Sequence, residues 1–284
     1  MANLHLAVPH GACFGINRAI DLAKETAEKY SGNIYFLGEL VHNQHVVDWL
    51  ESELKIKTVQ SLDQIPRDSV VIIRAHGAPP QTFSQAIAKG LTIIDATCPL
   101  VLKSHQTVIN FSSQNKKIIF ICNSITHDET IGIVGENPYS VIPVAIEDAL
   151  KFNIDDPANC IVMTQTTLST VDTQEVLDLL KAKYPQITIL PHICQATTDR
   201  QNAVIKLAKT CTLFIIVGSS TSANSNSLKK VAESSGAVSY IIDNSSELNP
   251  EWFQGHQEIG ISSGASTPES ILEDVINEIR SLVN

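Results

Sequence analysis

The chain has 284 residues, of which 43% are hydrophobic and 18% charged, so it can bury a sizeable core and is not typical of a disordered protein. Its net charge of −10 at pH 7 argues against non-specific binding of nucleic acid, which needs clustered lysine and arginine. Its apolar runs are far shorter than the ~18 residues of a membrane span, and its first residues do not read as a secretion signal. We therefore expect a cytoplasmic protein with neither a membrane nor a nucleic-acid partner.

Three stretches of the chain repeat the same order of elements. In each stretch an apolar strand leads into a cysteine turn, which a helix-like run follows: Leu4–Val8 before Cys13, Leu91–Asp95 before Cys98, and Ile187–Leu190 before Cys194. About 30 residues after each cysteine, a second strand ends in a polar loop that carries His42, His127 or Asn224. Self-similarity at a fixed period indicates repeated structural units, so the pattern predicts three α/β units.

The later elements of the three stretches also correspond. A third strand ends at Val59, Val144 and Ile242, and a fourth ends in loops that carry His76, Thr166 and Ser266. Short strands that alternate with helices are typical of parallel sheets, whose functional loops gather at the carboxyl ends of the strands. We therefore expect an α/β fold with mainly parallel sheets, in which three thiols and a set of polar side chains face one centre.

The predicted units are residues 13–97, 98–193 and 194–284. The first two units each end with a helix, around Thr82–Lys89 and Thr173–Tyr184, and then a strand that leads to the next cysteine. The third unit ends with an amphipathic helix after Pro268, and no strand follows that helix. The strand at the N-terminus of the chain can take this place, so we expect residues 1–12 to complete the third unit.

The six cysteines fall into two groups. Three of them lie within or beside apolar strands, as buried core thiols do: Cys122, Cys160 and Cys211. The other three lie at strand-to-helix turns, where functional residues concentrate: Cys13, Cys98 and Cys194. A chain of this length without a secretory signal favours reduced thiols over disulfides.

The three turn cysteines allow three interpretations. They could be core residues by coincidence, zinc ligands or ligands of an iron–sulfur cluster. The paired C-x-x-C knuckles that are common in structural zinc sites are missing, although a catalytic zinc held by three thiolates stays possible. A 4Fe–4S cluster held by three thiolates would leave one iron without a protein ligand and able to act as a Lewis acid.

The polar loops at the strand ends supply imidazoles, hydroxyls and an amide. These groups could bind a phosphate-bearing substrate without a large basic patch. His127 with Glu129 adds a proton donor and a carboxylate able to serve in acid–base work.

Seven short motifs are distributed along essentially the whole chain. They are Gly11-Ala12-Cys13-x-Gly15 with Arg18-Ala19-Ile20, Val41-His42-Asn43, Ala75-His76-Gly77, Asp95-Ala96-Thr97-Cys98-Pro99, Thr164-Gln165-Thr166-Thr167-Leu168-Ser169, Cys194-x-Ala196-Thr197-x-x-Arg200-Gln201 and Gly264-Ala265-Ser266-x-Pro268. In combination they resemble the 4-hydroxy-3-methylbut-2-enyl diphosphate reductases of the LytB/IspH family. The resemblance implies a trefoil of three pseudo-symmetric α/β domains around one central 4Fe–4S cluster, with Cys13, Cys98 and Cys194 as its three ligands.

The resemblance also implies the reaction. It would be the reductive dehydroxylation of 4-hydroxy-3-methylbut-2-enyl diphosphate to isopentenyl and dimethylallyl diphosphate, the last step of the non-mevalonate isoprenoid pathway. The substrate hydroxyl would bind at the open iron, and a ferredoxin or flavodoxin would deliver two electrons singly. The expected substrate-binding residues are His42, His76, His127, Thr166, Thr167, Ser222, Asn224 and Ser266. Glu129, with Thr166 and His127, would deliver the proton to the departing hydroxyl.

Four residues depart from the family pattern: Ala12, Arg74, Asp128 and Ala223. Ala223 stands where a serine is common and removes one possible diphosphate donor. Asp128 stands where a proline is usual, so we expect it to loosen the turn and to add a negative charge near the proton relay. Ala12 replaces a bulkier residue beside Cys13, and Arg74 replaces a small polar residue.

Two other classes of function compete with the reductase. The first is a non-redox dehydratase, in which the open iron only polarises a hydroxyl and no electron donor is needed. The second is an electron carrier or a structural metal-binding module, which would need neither an open iron nor the convergent polar loops.

Overall fold

The computed structural model describes residues 2–283. Within that range the chain forms three four-stranded sheets in which all strand pairs are parallel. The strands are β1 (Asn3–Leu6), β2 (Ile34–Leu37), β3 (Lys57–Val59), β4 (Val70–Ile73), β5 (Thr92–Asp95), β6 (Lys117–Cys122), β7 (Val141–Ala145), β8 (Cys160–Thr164), β9 (Thr188–Leu190), β10 (Leu213–Val217), β11 (Val238–Ile242) and β12 (Glu258–Ser263). Three α/β units with parallel sheets were predicted, and the prediction is confirmed.

Helices connect the strands and cover the sheets. The α-helices are α1 (Phe14–Lys29), α2 (Gln44–Glu53), α3 (Pro80–Ala88), α4 (Pro99–Ser112), α5 (Asp128–Glu136), α6 (Thr170–Lys183), α7 (Gln195–Leu207), α8 (Ala223–Ser234) and α9 (Glu269–Val283). Among residues 2–283, none of these helices is both long and apolar enough to cross a membrane.

The three sheets share one topology. Their strand orders are β3-β2-β4-β5, β7-β6-β8-β9 and β11-β10-β12-β1. The outer strand beside β12 is β1, whose residues Asn3 to Leu6 pair with Glu258 to Ile261. The N-terminal strand therefore occupies in the third sheet the place that β5 and β9 occupy in the other two. The unit boundaries at 13–97, 98–193 and 194–284 with 1–12 stay a prediction.

Each sheet is buried on both faces, as β10 illustrates. Leu213, Ile215 and Val217 pack into one hydrophobic cluster with α9, whereas Phe214 and Ile216 pack into a second cluster with α7 and α8. Successive side chains of a strand point to opposite faces, so an uninterrupted apolar run is what a sheet covered on both sides requires. The rigid sheets fix the loops at their carboxyl ends, where the candidate site lies.

The turn after β1 differs from expectation in one detail. A strand was predicted over Leu4–Val8, but β1 ends at Leu6, and Val8 is exposed. Pro9 has no N–H to donate, so it cannot continue the hydrogen-bonded ladder. The chain thereby leaves the sheet two residues early and turns into Gly11-Ala12-Cys13.

Candidate active site

One cavity of about 100 Å³ lies among the three units, at the carboxyl ends of their strands. It brings together every residue predicted for the site: Cys13, Cys98, Cys194, His42, His76, His127, Glu129, Thr166, Thr167, Ser222, Asn224 and Ser266. Among the residues that the structure describes, the lining of this cavity includes no lysine or arginine. Any anion bound there must therefore be held by imidazoles, hydroxyls, amides and backbone N–H groups.

Each of the three turn cysteines is the N-cap of a helix. Cys13 precedes α1, Cys98 precedes α4 and Cys194 precedes α7. The Sγ atom of Cys194 accepts a hydrogen bond from the backbone N–H of Thr197 at 3.3 Å. Free N–H groups and the helix dipole make the start of a helix favourable for a thiolate. Three such termini meet at one point of the cavity.

Burial acts against ionisation of the bare thiols. It raises the pKa of Cys98 and of Cys194 above the usual value, while backbone N–H groups at the start of each helix oppose the shift. Repulsion from Cys13 raises both pKa values further. A bound metal centre would remove this penalty because it deprotonates its thiol ligands outright.

Gly15 leaves space beside the thiols. A Cβ atom at this position would lie 2.6 Å from the Sγ atom of Cys98 and 3.9 Å from that of Cys13. No side chain larger than hydrogen therefore fits between these two sulfurs. The soft donor set, the three helix termini and this gap suit a thiolate-bound metal centre better than a packed core.

The other three cysteines are unpaired thiols that do not line the cavity. They are buried in or beside β6, β8 and β10: Cys122, Cys160 and Cys211. Their interpretation as core thiols is confirmed by this burial.

Three histidines, which we call the imidazole cluster, form one wall of the cavity: His42, His76 and His127. Their ring centroids are 4.6 Å apart for His42 and His76, 5.6 Å for His42 and His127, and 5.4 Å for His76 and His127. Burial, followed by repulsion from the other imidazoles, holds the pKa of His76 well below its ordinary value. Burial, followed by repulsion from His42, lowers the pKa of His127 to about 4.

The imidazole cluster has unused donor capacity. The Nδ1 atom of His76 is buried without a hydrogen-bond partner. One nitrogen from each ring lies within 4.8 Å of the others, a spacing that would also suit a transition-metal ion. An anionic group at this point would oppose the effect of burial on the pKa values of His76 and His127.

Glu129 and Thr166 form a buried pair across the second unit. One carboxylate oxygen of Glu129 accepts a hydrogen bond from the backbone N–H of Thr166 at 2.8 Å, and the other accepts from its hydroxyl at 2.7 Å. Only 1% of Glu129 is exposed. Burial raises the pKa of Glu129 to about 7, against the opposing effect of these hydrogen bonds. Such a carboxyl group can both hold and release a proton near neutral pH.

The third unit contributes uncharged polar groups. Ser222 is the N-cap of α8. The side-chain oxygen of Asn224 accepts from the backbone N–H of Ala265 at 3.0 Å, which fixes the amide beside Ser266. In the second unit His127 is likewise the N-cap of α5, and its Nδ1 atom accepts from the backbone N–H of Glu129 at 3.1 Å. The polar part of the cavity thus also lies at helix N-termini, which favour anions.

Two of the departing residues contact each other. Arg74 Nη1 donates to Asp128 Oδ2 at 2.6 Å. The negative charge expected near the proton relay is therefore paired. Asp128 is the first residue of α5, a position where an acidic side chain is favoured by the helix dipole.

Two buried residues behind the cysteines have contacts that were not predicted from the sequence. Thr197 donates to Cys194 through its backbone and also accepts from Asn224 Nδ2 at 3.4 Å. Arg200 is 3% exposed, and its Nη2 atom donates to the carbonyl of Gly11 at 2.6 Å. A signal for Arg200 existed, because it shares the helical spacing of the apolar residues Val204 and Leu207.

The sequence profile of the LytB protein family matches residues 4–280. The chain belongs to the LytB family. Among curated LytB relatives, the 4-hydroxy-3-methylbut-2-enyl diphosphate reductase of Bordetella pertussis strain Tohama I is 39% identical over 99% of this chain and 87% of that protein. The enzyme of that name from Azotobacter vinelandii is also 39% identical, over 98% of this chain and 90% of its own length.

Solved structures agree with this LytB membership. The E-1-hydroxy-2-methyl-but-2-enyl-4-diphosphate reductase from Plasmodium falciparum superposes with a TM-score of 0.91 at 34% identity, covering 97% of this chain and 87% of that one. A second structure, of (E)-4-hydroxy-3-methyl-but-2-enyl diphosphate reductase, gives a TM-score of 0.65 at 32% identity over 99% of this chain and all of the other. The predicted family and the predicted three-domain α/β fold are both confirmed.

Proposed function

We propose that this chain reduces 4-hydroxy-3-methylbut-2-enyl diphosphate to isopentenyl and dimethylallyl diphosphate, the last step of the non-mevalonate isoprenoid pathway. The names of its relatives support this assignment. The observation that carries the proposal is the meeting, in one cavity, of three helix-capping cysteines, an anion-compatible wall and a carboxyl group of pKa about 7. Each feature corresponds to one requirement of the reaction.

We propose Cys13, Cys98 and Cys194 as the ligands of one 4Fe–4S cluster. The soft thiolate donors, the gap left by Gly15 and the buried guanidinium of Arg200 near the sulfurs support this choice. When bound, the cluster would supply electrons from a ferredoxin or flavodoxin and a Lewis-acidic iron without a protein ligand. The role of the protein is to hold the thiolates at the helix termini and to exclude bulk water.

The diphosphate head of the substrate would bind against the imidazole cluster and the polar groups of the third unit. The proposed contacts are His42, His76, His127, Thr167, Ser222, Asn224 and Ser266. Hydrogen bonds to a charged phosphate are stronger than neutral ones, and helix N-termini add to them. This anchor is remote from the reacting carbon, so it can hold the substrate hydroxyl in place for the reaction.

Glu129 is the proposed proton donor. Thr166 is hydrogen-bonded to its carboxyl group, and His127 is hydrogen-bonded to its backbone N–H. Cleavage of the C–O bond consumes two electrons and two protons, of which one leaves with the hydroxyl as water and the other joins the allylic carbon skeleton. Hydroxide is a poor leaving group, so the first proton must be ready when the bond breaks. Burial keeps Glu129 protonated up to about pH 7, and Thr166 fixes the direction of its carboxyl group.

The test begins with oxygen-free purification, followed by iron and sulfide quantitation and a visible spectrum. We expect about four irons and four sulfides per chain and turnover only when a reductant is supplied. Turnover without reductant would support a non-redox dehydratase. Protein that contains zinc, or that stays free of iron after reconstitution, would contradict every redox function. A cluster whose spectrum does not respond to the substrate would favour an electron carrier.

A further inference from the structure

An ion pair joins the first two units next to the imidazole cluster. Arg74 directly follows β4 in the first unit, and Asp128 begins α5 in the second. Their side chains are 22% and 17% exposed, and Arg74 Nη1 lies 2.6 Å from Asp128 Oδ2. Gly38, whose φ of 73° suits glycine, packs against the guanidinium, and a Cβ atom there would collide with it. The chain thus provides a fitted place for Arg74.

The pair lies directly against the imidazole cluster. Asp128 Oδ2 is 3.7 Å from Nε2 of His42. Along the chain, Arg74 is two residues before His76, and Asp128 directly follows His127. Each member therefore places a full charge beside the imidazoles that are proposed to hold the diphosphate, although neither residue lines the cavity itself.

We propose that Arg74 and Asp128 are a matched charge pair that sets the affinity of the imidazole cluster for the diphosphate head. This inference rests on the proposed function and adds two positioning residues to it. The carboxylate of Asp128 alone would repel the substrate anion, and it would compete with that anion for contact with His42. The guanidinium of Arg74 alone would attract the anion. Because the two charges are in contact, their effects on the anion nearly cancel.

A purely structural role of the ion pair, as a contact that holds the two units together, makes a different prediction. If the pair served only to hold the units together, breaking either side would loosen the cavity and weaken binding in both variants. Charge compensation instead predicts changes of opposite sign for the two single variants. The signs of the two changes therefore separate the two roles.

The experiment measures binding of inorganic diphosphate by calorimetry to the anaerobically reconstituted holoenzyme, at low and at raised salt. We expect Arg74→Gln to weaken binding about tenfold and Asp128→Asn to tighten it by several-fold. The double variant should return to within about threefold of the unmodified protein, because it removes both charges. Both single effects should shrink at raised salt.

A matched control exists at another contact between units. Lys230 Nζ lies 2.7 Å from Asp172 Oδ2, joining α8 to α6 away from the imidazole cluster. Lys230→Gln breaks this ion pair and should leave diphosphate binding unchanged. The visible spectrum and the thermal unfolding temperature of each variant show whether its fold and cluster are intact. Arg74→Lys keeps the charge and should bind close to the unmodified protein, which provides a second route if Arg74→Gln is unstable.

Changes of the same sign in both single variants, or no change in either, would overturn the charge-pair proposal. Such a result would leave the reductase assignment standing if the unmodified protein still binds diphosphate and turns over. Failure of the unmodified protein to bind diphosphate at all would instead contradict the proposed function.

Discussion

The two sides of the cavity use the threefold repeat in opposite ways. On the thiol side every unit contributes the same residue at the same place, a cysteine that caps the helix after the outer strand. On the anion side the corresponding helix starts carry different residues: Asn43 caps α2, His127 caps α5 and Ser222 caps α8. A metal centre bound at three equivalent positions requires the same ligand from each unit. An unsymmetrical substrate requires different contacts from each unit. The fold keeps the backbone symmetric and varies the side chains.

Loss of one thiol is expected to have the largest effect. Cys98→Ala removes one of three equivalent ligands, so the holoenzyme should lose its cluster and all measurable turnover. Cys160→Ala is the matched control, because Cys160 is a buried thiol at the start of β8, the end of the strand away from the cavity. Iron content and the visible spectrum check the outcome. Unchanged iron content and turnover in the Cys98→Ala protein would show that the three capping cysteines are not the metal site.

Loss of the buried acid is expected to come next. Glu129→Gln keeps the shape and the contact with the Thr166 hydroxyl but cannot donate the proton, so kcat should fall by roughly 10²- to 10⁴-fold. Cluster content and diphosphate binding should be retained. Glu175→Gln, at an exposed position of α6, is the control and should keep full activity. Near-normal turnover of Glu129→Gln would remove Glu129 from the proposed role.

The pH dependence of the reaction should report the same group. Burial raises the pKa of Glu129 to about 7, and only the protonated form can donate. The value of kcat/KM should therefore fall about tenfold per pH unit above that pKa. Thr166→Val removes a hydrogen bond that stabilises the carboxylate, so its alkaline limb should move to higher pH.

Thr173→Val provides the matched control for the pH profile. Thr173 is a buried threonine of α6 whose hydroxyl has no hydrogen-bond partner within the described chain. Its replacement should leave the alkaline limb where it is. If the alkaline limb of the kcat/KM profile does not move in Thr166→Val either, a group other than Glu129 controls the decrease in rate at high pH.

The smallest expected effect concerns the side of the cavity that is proposed to bind the diphosphate. Ala223 begins α8 and lines the cavity beside Ser222. Ala223→Ser adds one hydroxyl, so diphosphate should bind about two- to fivefold more tightly, in line with one net hydrogen bond. Ala203→Ser on α7, outside the cavity lining, should change nothing. Weaker binding in Ala223→Ser would mean that the hydroxyl turns away from the anion or crowds it.

Much of the fold could be predicted because it depends on local periodicity. The spacing of apolar residues around Cys13, Cys98 and Cys194 is enough to place strand, turn and helix in each unit. The missing strand after the last helix pointed to the chain's own N-terminus, and β1 does pair with β12. The end of β1 at Leu6 was missed because the apolar pattern continues to Val8, whereas the chain leaves the sheet before Pro9, which cannot donate to the ladder.

Contacts between units were harder to predict. Arg74 and Asp128 lie 54 residues apart, and each was singled out separately as a departure from the family pattern. Neither local sequence predicts that the two side chains meet. Their contact depends on how the loop after β4 is placed against the start of α5. Within the third unit, the contacts of Arg200 with Gly11 and of Thr197 with Asn224 were also missed, because they join residues that are distant along the chain.

The most direct test of the central claim is Mössbauer spectroscopy of protein reconstituted with isotopically enriched iron, recorded before and after addition of substrate. If the three capping thiolates hold a 4Fe–4S cluster and leave one iron to the substrate, one iron in four should differ from the rest and should change its signal when substrate is added. Four irons that are equivalent and insensitive to substrate, or a spectrum without a cluster, would contradict the account.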